Sequence, residues 1–242
     1  MFILFKKELT ILSSSIQGPA IPVVYLLISG LFLWVFPGSF NIPGQGYSDL
    51  TGLFTVSPVL FLILIPALCM RSFAEEKKTG TEELLFIRPV TVGQIVFSKF
   101  LAVSSIILFS LLLTGIYWIS IGFLGSPLWN IDSGAAIGGY AALILTALLF
   151  VSVGEFASSL TGNQIIAFVA GIFFCTLFYW GFELFSSILP GSEWQLLIRN
   201  IGVLPHYQTL CRGIVDSRDV IYFIVWILFF SALTIRIHQR TR

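Results

Sequence analysis

Six stretches of this chain are so poor in charge that they cannot face water, and they decide what it can fold into. A helix needs about 20 largely apolar residues to cross roughly 30 Å of hydrocarbon. No Asp, Glu, Lys or Arg stands between Glu8 and Asp49, from 50 to 70, or from 100 to 131. The later stretches hold at most two charges each. One span per stretch predicts helices at about 19–37, 53–74, 100–121, 135–158, 164–186 and 219–237. Of the 242 residues, 57% are hydrophobic and 10% charged, against roughly a quarter charged in a soluble domain. The expected fold is therefore an all-α polytopic membrane protein, a single transmembrane domain over 1–242 with no soluble domain left over. A net charge of +1 gives no basic field for nucleic acid. Three cysteines without a CxxC, and two histidines, supply neither a disulfide framework nor a zinc set.

Lys and Arg are retained on the cytoplasmic side of a membrane. With an even number of spans both termini share a side, and placing them inside puts ten of the 13 cations in the cytoplasm, with Arg199, Arg212 and Arg218 outside. The six tryptophans then all fall in the outer half of a span or an outer loop, as interfacial anchors do. Arg236, at the end of the short last span, is expected to snorkel toward the headgroups. Lys6 and Lys7 lie behind Phe2 to Phe5 with no small-residue cleavage site after them, so the N-terminus is read as retained. Phe2, Phe5, Leu9, Leu12 and Ile16 recur at helical spacing and predict an interfacial helix over 2–16, with Gly18-Pro19 turning the chain into the bilayer.

The connection 71–99 reads as helical in water. Thr79 with Glu82 forms a capping box, Leu84, Leu85 and Ile87 follow as an apolar ridge, Pro89 ends the element, and Thr91 with Gln94 repeats the box. Two readings stand, a rigid handle for a partner and a solvated loop. The connection 187–219 is apolar in patches and is expected to pack back on the bundle, either capping a pathway from outside or lying at the interface. Glu155, a few residues from the inner end of the fourth span, and Glu183, toward the outer end of the fifth, are intramembrane acids. They suit a structural role or a substrate or ion pathway, and Glu155 is expected to reach water. Gly134 and Gly138 fit close helix approach. His206 is expected as a hydrogen-bonded loop residue and Cys211 as a free thiol. The sequence holds no GxxxxGK[ST] phosphate loop, HExxH or GxSxG, so it lacks the usual signatures of ATP binding, metalloproteolysis and lipase chemistry.

The run Glu75-Glu76-Lys-Lys-Thr-Gly80-Thr81-Glu82-x-Leu84-Leu85-x-x-x-Pro89, the connection Phe156-Ala-Ser-Ser-Leu-Thr-x-Asn-Gln164-Ile-Ile-Ala167-Phe168 and the ending Arg212-Gly213-Ile-Val-Asp216 resemble the ABC-2 type of ABC-transporter permease over nearly the whole chain. Gly30 to Gly38, Gly46-Tyr47 with Gly52-Leu-Phe54, and Trp129 to Gly134 are similar to the permease subunit of the gliding-motility ABC transporters of Bacteroidota. The resemblance implies a permease of a bacterial inner membrane with no chemistry or cofactor of its own, since ATP would be bound by a separate ATPase subunit. It implies pairing with a second copy or with a homologous permease carrying a periplasmic domain. It also implies that the 79–88 helix couples to the ATPase, with Glu75, Glu76, Gly80, Thr81, Glu82, Glu83, Leu84, Leu85 and Pro89 at or near the contact. Glu155 departs from the family pattern, so no family role passes to it. The transported substrate is not implied. Export of a drug, lipid or polysaccharide, and force transmission without transport, stay open beside the motility reading.

Overall fold

The computed structural model describes residues 1–45, 49–80, 91–125, 131–188 and 193–240. Among these every regular element is helical, and six helices are long and apolar enough to cross a membrane. Span 1 is Gln17–Val35, span 2 Thr51–Thr79, span 3 Val92–Leu124, span 4 Ser133–Leu160, span 5 Gln164–Ser187 and span 6 Ser217–Gln239. Hydrocarbon offers backbone groups no partners, so each span must satisfy its own, and helices do. Most span hydroxyls obey the same rule, Ser104 and Thr146 being buried without a partner among the described residues. Ser98, Ser105, Ser110, Thr114, Ser152 and Thr234 each donate to a carbonyl one turn back, at 2.6–2.9 Å.

Span 4 is the axis of the bundle, packed against spans 2, 3, 5 and 6. Its small residues explain why: Gly139 lies against the Phe54 ring and Gly154 against Cys69, both of span 2. Buried Leu143, Phe150, Phe61, Leu68, Ile107 and Phe223 complete the core. Polar links cross it, with Tyr25 Oη 2.8 Å from Ser57 Oγ and Tyr117 donating to the Leu26 carbonyl at 2.9 Å. Two spans leave α geometry within their length, for Leu31–Val35 and Leu177–Gly181 are π turns.

The helix Phe2–Ser14 packs on span 3, and the expected apolar stripe holds only in part. Phe5, Leu9 and Leu12 are half-buried, whereas Phe2 and Ile16 are exposed and the most buried residue is Glu8. The turn into the bilayer falls at Ser15-Ile16, two residues before Gly18-Pro19. Pro19 instead sits in the first turn of span 1, where no helical hydrogen bond is lost.

Span 3 begins at Val92, eight residues before the expected start. The predicted box is formed, Thr91 Oγ1 accepting from the Gln94 amide at 3.3 Å and Gln94 Oε1 from the Thr91 amide at 3.2 Å. The Glu82 half of the Thr79 box lies outside the described residues. Thr79 is the last residue of the short helix Ala74–Thr79, its hydroxyl donating back to the Glu75 carbonyl at 2.8 Å. Gly80 at φ +69° stops that helix in the left-handed region, which a glycine adopts without strain.

At the end remote from the termini, the helices Glu193–Ile201 and Val203–Cys211 fold back on the bundle as expected. Tyr207 donates to the Phe54 carbonyl of span 2. His206, on a helix rather than a loop, hydrogen-bonds Asp219 at 2.6 Å and the Asn200 carbonyl at 2.9 Å. The Gly134/Gly138 pair serves this segment rather than another span. A Cβ at Gly138 would lie 2.4 Å from the Leu210 carbonyl oxygen and 2.8 Å from Gly213 Cα. Gly138→Val should therefore cost about 1–3 kcal/mol by overpacking and lift the Val203–Cys211 helix. Cys211 reports this, because burial pushes its thiol up to about 11 and keeps it slow to alkylate at neutral pH. Maleimide labelling of Cys211, mapped by mass spectrometry, should be faster in Gly138→Val than in the unsubstituted protein.

Candidate functional site

Residues 81–90, which carry the expected sites Thr81, Glu82, Glu83, Leu84, Leu85 and Pro89 and most of the predicted 79–88 helix, lie outside the described residues. Their two attachment points are described, and both are built with unusual care for a loop. The chain leaves at the Gly80 stop and returns at the Thr91 cap. Between them and the spans lies a buried ionic cluster.

Its centre is Lys99, in span 3 and 3% exposed. An ammonium has three donors, and here each has an acceptor: Glu76 Oε1 at 2.7 Å, the Ser72 carbonyl at 2.7 Å and Glu8 Oε2 at 3.3 Å. The Nζ also sits 5.1 Å from the centre of the Phe73 ring, a cation–π contact. Phe73 in turn packs on His238 of span 6, ring centroids 4.5 Å apart, and His238 Nδ1 bonds to the Thr234 carbonyl at 2.9 Å.

Span 4 holds the bend that presents Glu76. Ser158 Oγ accepts from the Phe73 and Ala74 amides at 3.1 and 3.2 Å, satisfying two orphan donors at the start of the short helix. Lys77 Nζ donates to the Ser159 carbonyl. Thus the N-terminal helix and spans 2, 3, 4 and 6 all meet at the base of residues 81–90. This arrangement holds the segment's ends in fixed relation to the bundle.

The other expected site residues separate. Glu75 turns away from Lys99, its Oε2 3.3 Å from Arg71 Nε and its side chain about half exposed. Glu155 is 2% exposed, and its Oε1 has no hydrogen-bond partner among the described residues. The expectation of a wetted helix end is therefore overturned, because Ser158 and Ser159, one turn further on, are themselves buried under the Phe73–Thr79 bend. Glu183 lies at the other end of the bundle, 3.6 Å from Arg199, so the two intramembrane acids do not form one site. A cavity of about 490 Å³ beside Glu183 is lined by apolar residues of span 5 such as Phe173, Leu177 and Trp180.

Sequence reading missed Lys99 and Glu8, which it used only to bound charge-free intervals. A signal was present. Once Thr91 caps the helix, Val92, Ile95, Val96, Lys99 and Val103 fall on one face, so the lysine lies in the buried stripe.

Removing one member of a buried ion cluster strands the others, at typical costs of about 3–5 kcal/mol. Lys99→Met should therefore lower the thermal unfolding temperature of the detergent-solubilised protein. Adding Glu8→Gln and Glu76→Gln to Lys99→Met should recover most of the loss, because no uncompensated carboxylate is left. Unfolding followed by a heating ramp checks both.

A comparison with curated proteins finds none that matches. The family model described as ABC-2 family transporter protein matches residues 16–241, which takes in all six spans and both ends of the 81–90 connection. The chain belongs to the ABC-2 transporter family, as the membrane-spanning permease of an ABC transporter rather than its ATPase.

Proposed function

We propose that this permease is driven by a separate ATPase subunit that docks on residues 81–90, and that the Lys99 cluster passes the resulting load into the membrane. The observation that carries this reading is the convergence of five elements on the two ends of that segment. A docking loop that merely floated in solvent would need no such anchorage. Buried charges in contact resist separation far more than solvated ones, so a push on the segment moves spans 2 and 3 together with the N-terminal helix. Glu75, Glu76 and Gly80 at the root, and Thr81, Glu82, Glu83, Leu84, Leu85 and Pro89 in the segment, make up the coupling element. ATP is bound by the partner, and the permease supplies no cofactor.

This reading places both termini and residues 71–99 in the cytoplasm and the chain in a bacterial inner membrane, supported by the ten-to-three division of cations. The permease pairs with a second copy or with a homologous permease that carries a periplasmic domain. Membership of a gliding-motility transporter is supported by the likeness of the Gly30–Gly38, Gly46–Phe54 and Trp129–Gly134 stretches to permeases of that system.

Orientation is checked by placing single cysteines in a background without native ones. A membrane-impermeant maleimide applied to intact cells should label Ser217→Cys and leave Lys78→Cys unlabelled until the cells are opened, and the opposite pattern would invert the topology. Coupling is checked with Leu85→Asp, which puts a charge in the apolar ridge of the docking segment. The variant should reach normal levels in the membrane yet lose most of the ATPase subunit on co-purification. Full retention of the subunit, with unchanged ATP hydrolysis, would move the docking site elsewhere.

A further inference from the structure

The Lys99 cluster forms one wall of a cavity of about 360 Å³, within the range of roughly 300–1,000 Å³ usual for small-ligand sites. It lies in the crook between the N-terminal helix and span 1, closed on the other side by the end of span 2. We propose that this cavity binds the headgroup of a membrane phospholipid that carries a primary amine, such as phosphatidylethanolamine.

The wall groups state what the ligand must carry. Lys99, Glu8 and Glu76 have already satisfied one another and need nothing further from a guest. Two buried atoms beside them are unmet among the described residues. Gln17 Oε1 is an acceptor without a donor, and Arg71 Nε is a donor without a hydrogen bond, its 3.3 Å contact with Glu75 being an ion pair without hydrogen-bond alignment. Buried polar atoms usually have partners, so two such atoms on residues that line one cavity point to an occupant. That occupant must both donate and accept. A phosphate can take the Arg71 N–H and the Lys7 ammonium, whose side chain is 42% exposed. A primary ammonium can donate to Gln17 Oε1 and to the Glu75 carboxylate. An anionic headgroup without an amine leaves Gln17 Oε1 without a donor, and a quaternary amine has no N–H to offer.

The depth fits a lipid. Gln17 opens the apolar length of span 1, and Arg71 follows directly on the apolar run that ends at Met70, so the cavity lies where hydrocarbon gives way to headgroups. Ile11 and Leu12 supply an apolar side, and Ile11 is half exposed beside the opening. The inference needs only that the chain spans a membrane. It does not depend on ATPase docking, and its test reads lipid rather than ATP.

The full-length protein is placed in nanodiscs made of equal parts phosphatidylethanolamine, phosphatidylcholine and phosphatidylglycerol with matched acyl chains. It is then released into detergent, and the lipids that stay bound are weighed by native mass spectrometry. Phosphatidylethanolamine should be enriched among them. Gln17→Leu and Lys7→Gln, both at partly exposed or exposed positions that tolerate change, should each reduce that enrichment by about tenfold, the usual effect of losing a hydrogen bond to a charged group. Arg218→Gln, at the other end of the bundle, should leave it intact. Equal retention of the three lipids, preference for phosphatidylglycerol, or enrichment unaltered in both Gln17→Leu and Lys7→Gln would each overturn the proposal.

Discussion

One ammonium group, taken almost wholly out of water, sets the arrangement of this protein's terminal end. A buried cation is tolerable only where acceptors replace its hydration shell. Lys99 draws its acceptors from two parts of the chain: Glu8 of the N-terminal helix and, in the last turns of span 2, the Ser72 carbonyl and Glu76 of the short helix Ala74–Thr79. Each of those parts would otherwise have several places to go. An amphipathic helix can slide along a membrane surface, and a six-residue helix has little stability of its own. The charge fixes their positions by making every alternative costly, and the Ser158 hydroxyl then holds the bend between them.

The two ends of the bundle are secured by different physics. Where the termini lie, ion pairs and their hydrogen bonds do the work. At the far end, closeness of approach is added to the Glu183–Arg199 ion pair and the His206–Asp219 hydrogen bond: Gly138 admits the Leu210 carbonyl, and Gly213, at φ +81°, lies against Gly134. His206 stacks on Tyr222 at 4.0 Å, and Tyr222 donates to the Ile201 carbonyl at 2.6 Å. Steric locks of this kind leave little room for partial displacement, while an ionic cluster can be rewired by a competing charge.

How much of this could be read from residue order alone depends on the range of the interaction. The count and approximate course of the spans follow from charge-free length, which is a local property. So do the Thr91/Gln94 cap and the folding back of the 187–219 connection. The errors came where partners distant in sequence decide the outcome. Glu8 and Lys99 are 91 residues apart, and nothing near either one announces the other. Glu155 lies near a helix end by counting, yet the bend after span 2 covers that end and leaves the carboxyl buried. Gly134 and Gly138 signalled close packing correctly but could not say that the neighbour is a short returning helix rather than a span.

The π turn in span 5 has a further effect. A π turn closes its hydrogen bonds one residue later than an α turn does, and each residue of an α-helix advances the azimuth by about 100°. In span 1 the π turn is the last turn of the helix, whereas in span 5 the part beyond the π turn, Phe182–Ser187, is thereby wound out of phase with the part before it. A face that is uniform in sequence consequently becomes two faces in space. Tyr117, whose hydroxyl takes up the Leu26 carbonyl just ahead of the first π turn, leans close to Gly30 at the seam. Span 5 thus holds a spare residue, a reserve of length and rotation that the helix can draw on by reverting to α pitch, re-aiming Phe182–Ser187 while its main-chain hydrogen bonds stay largely made.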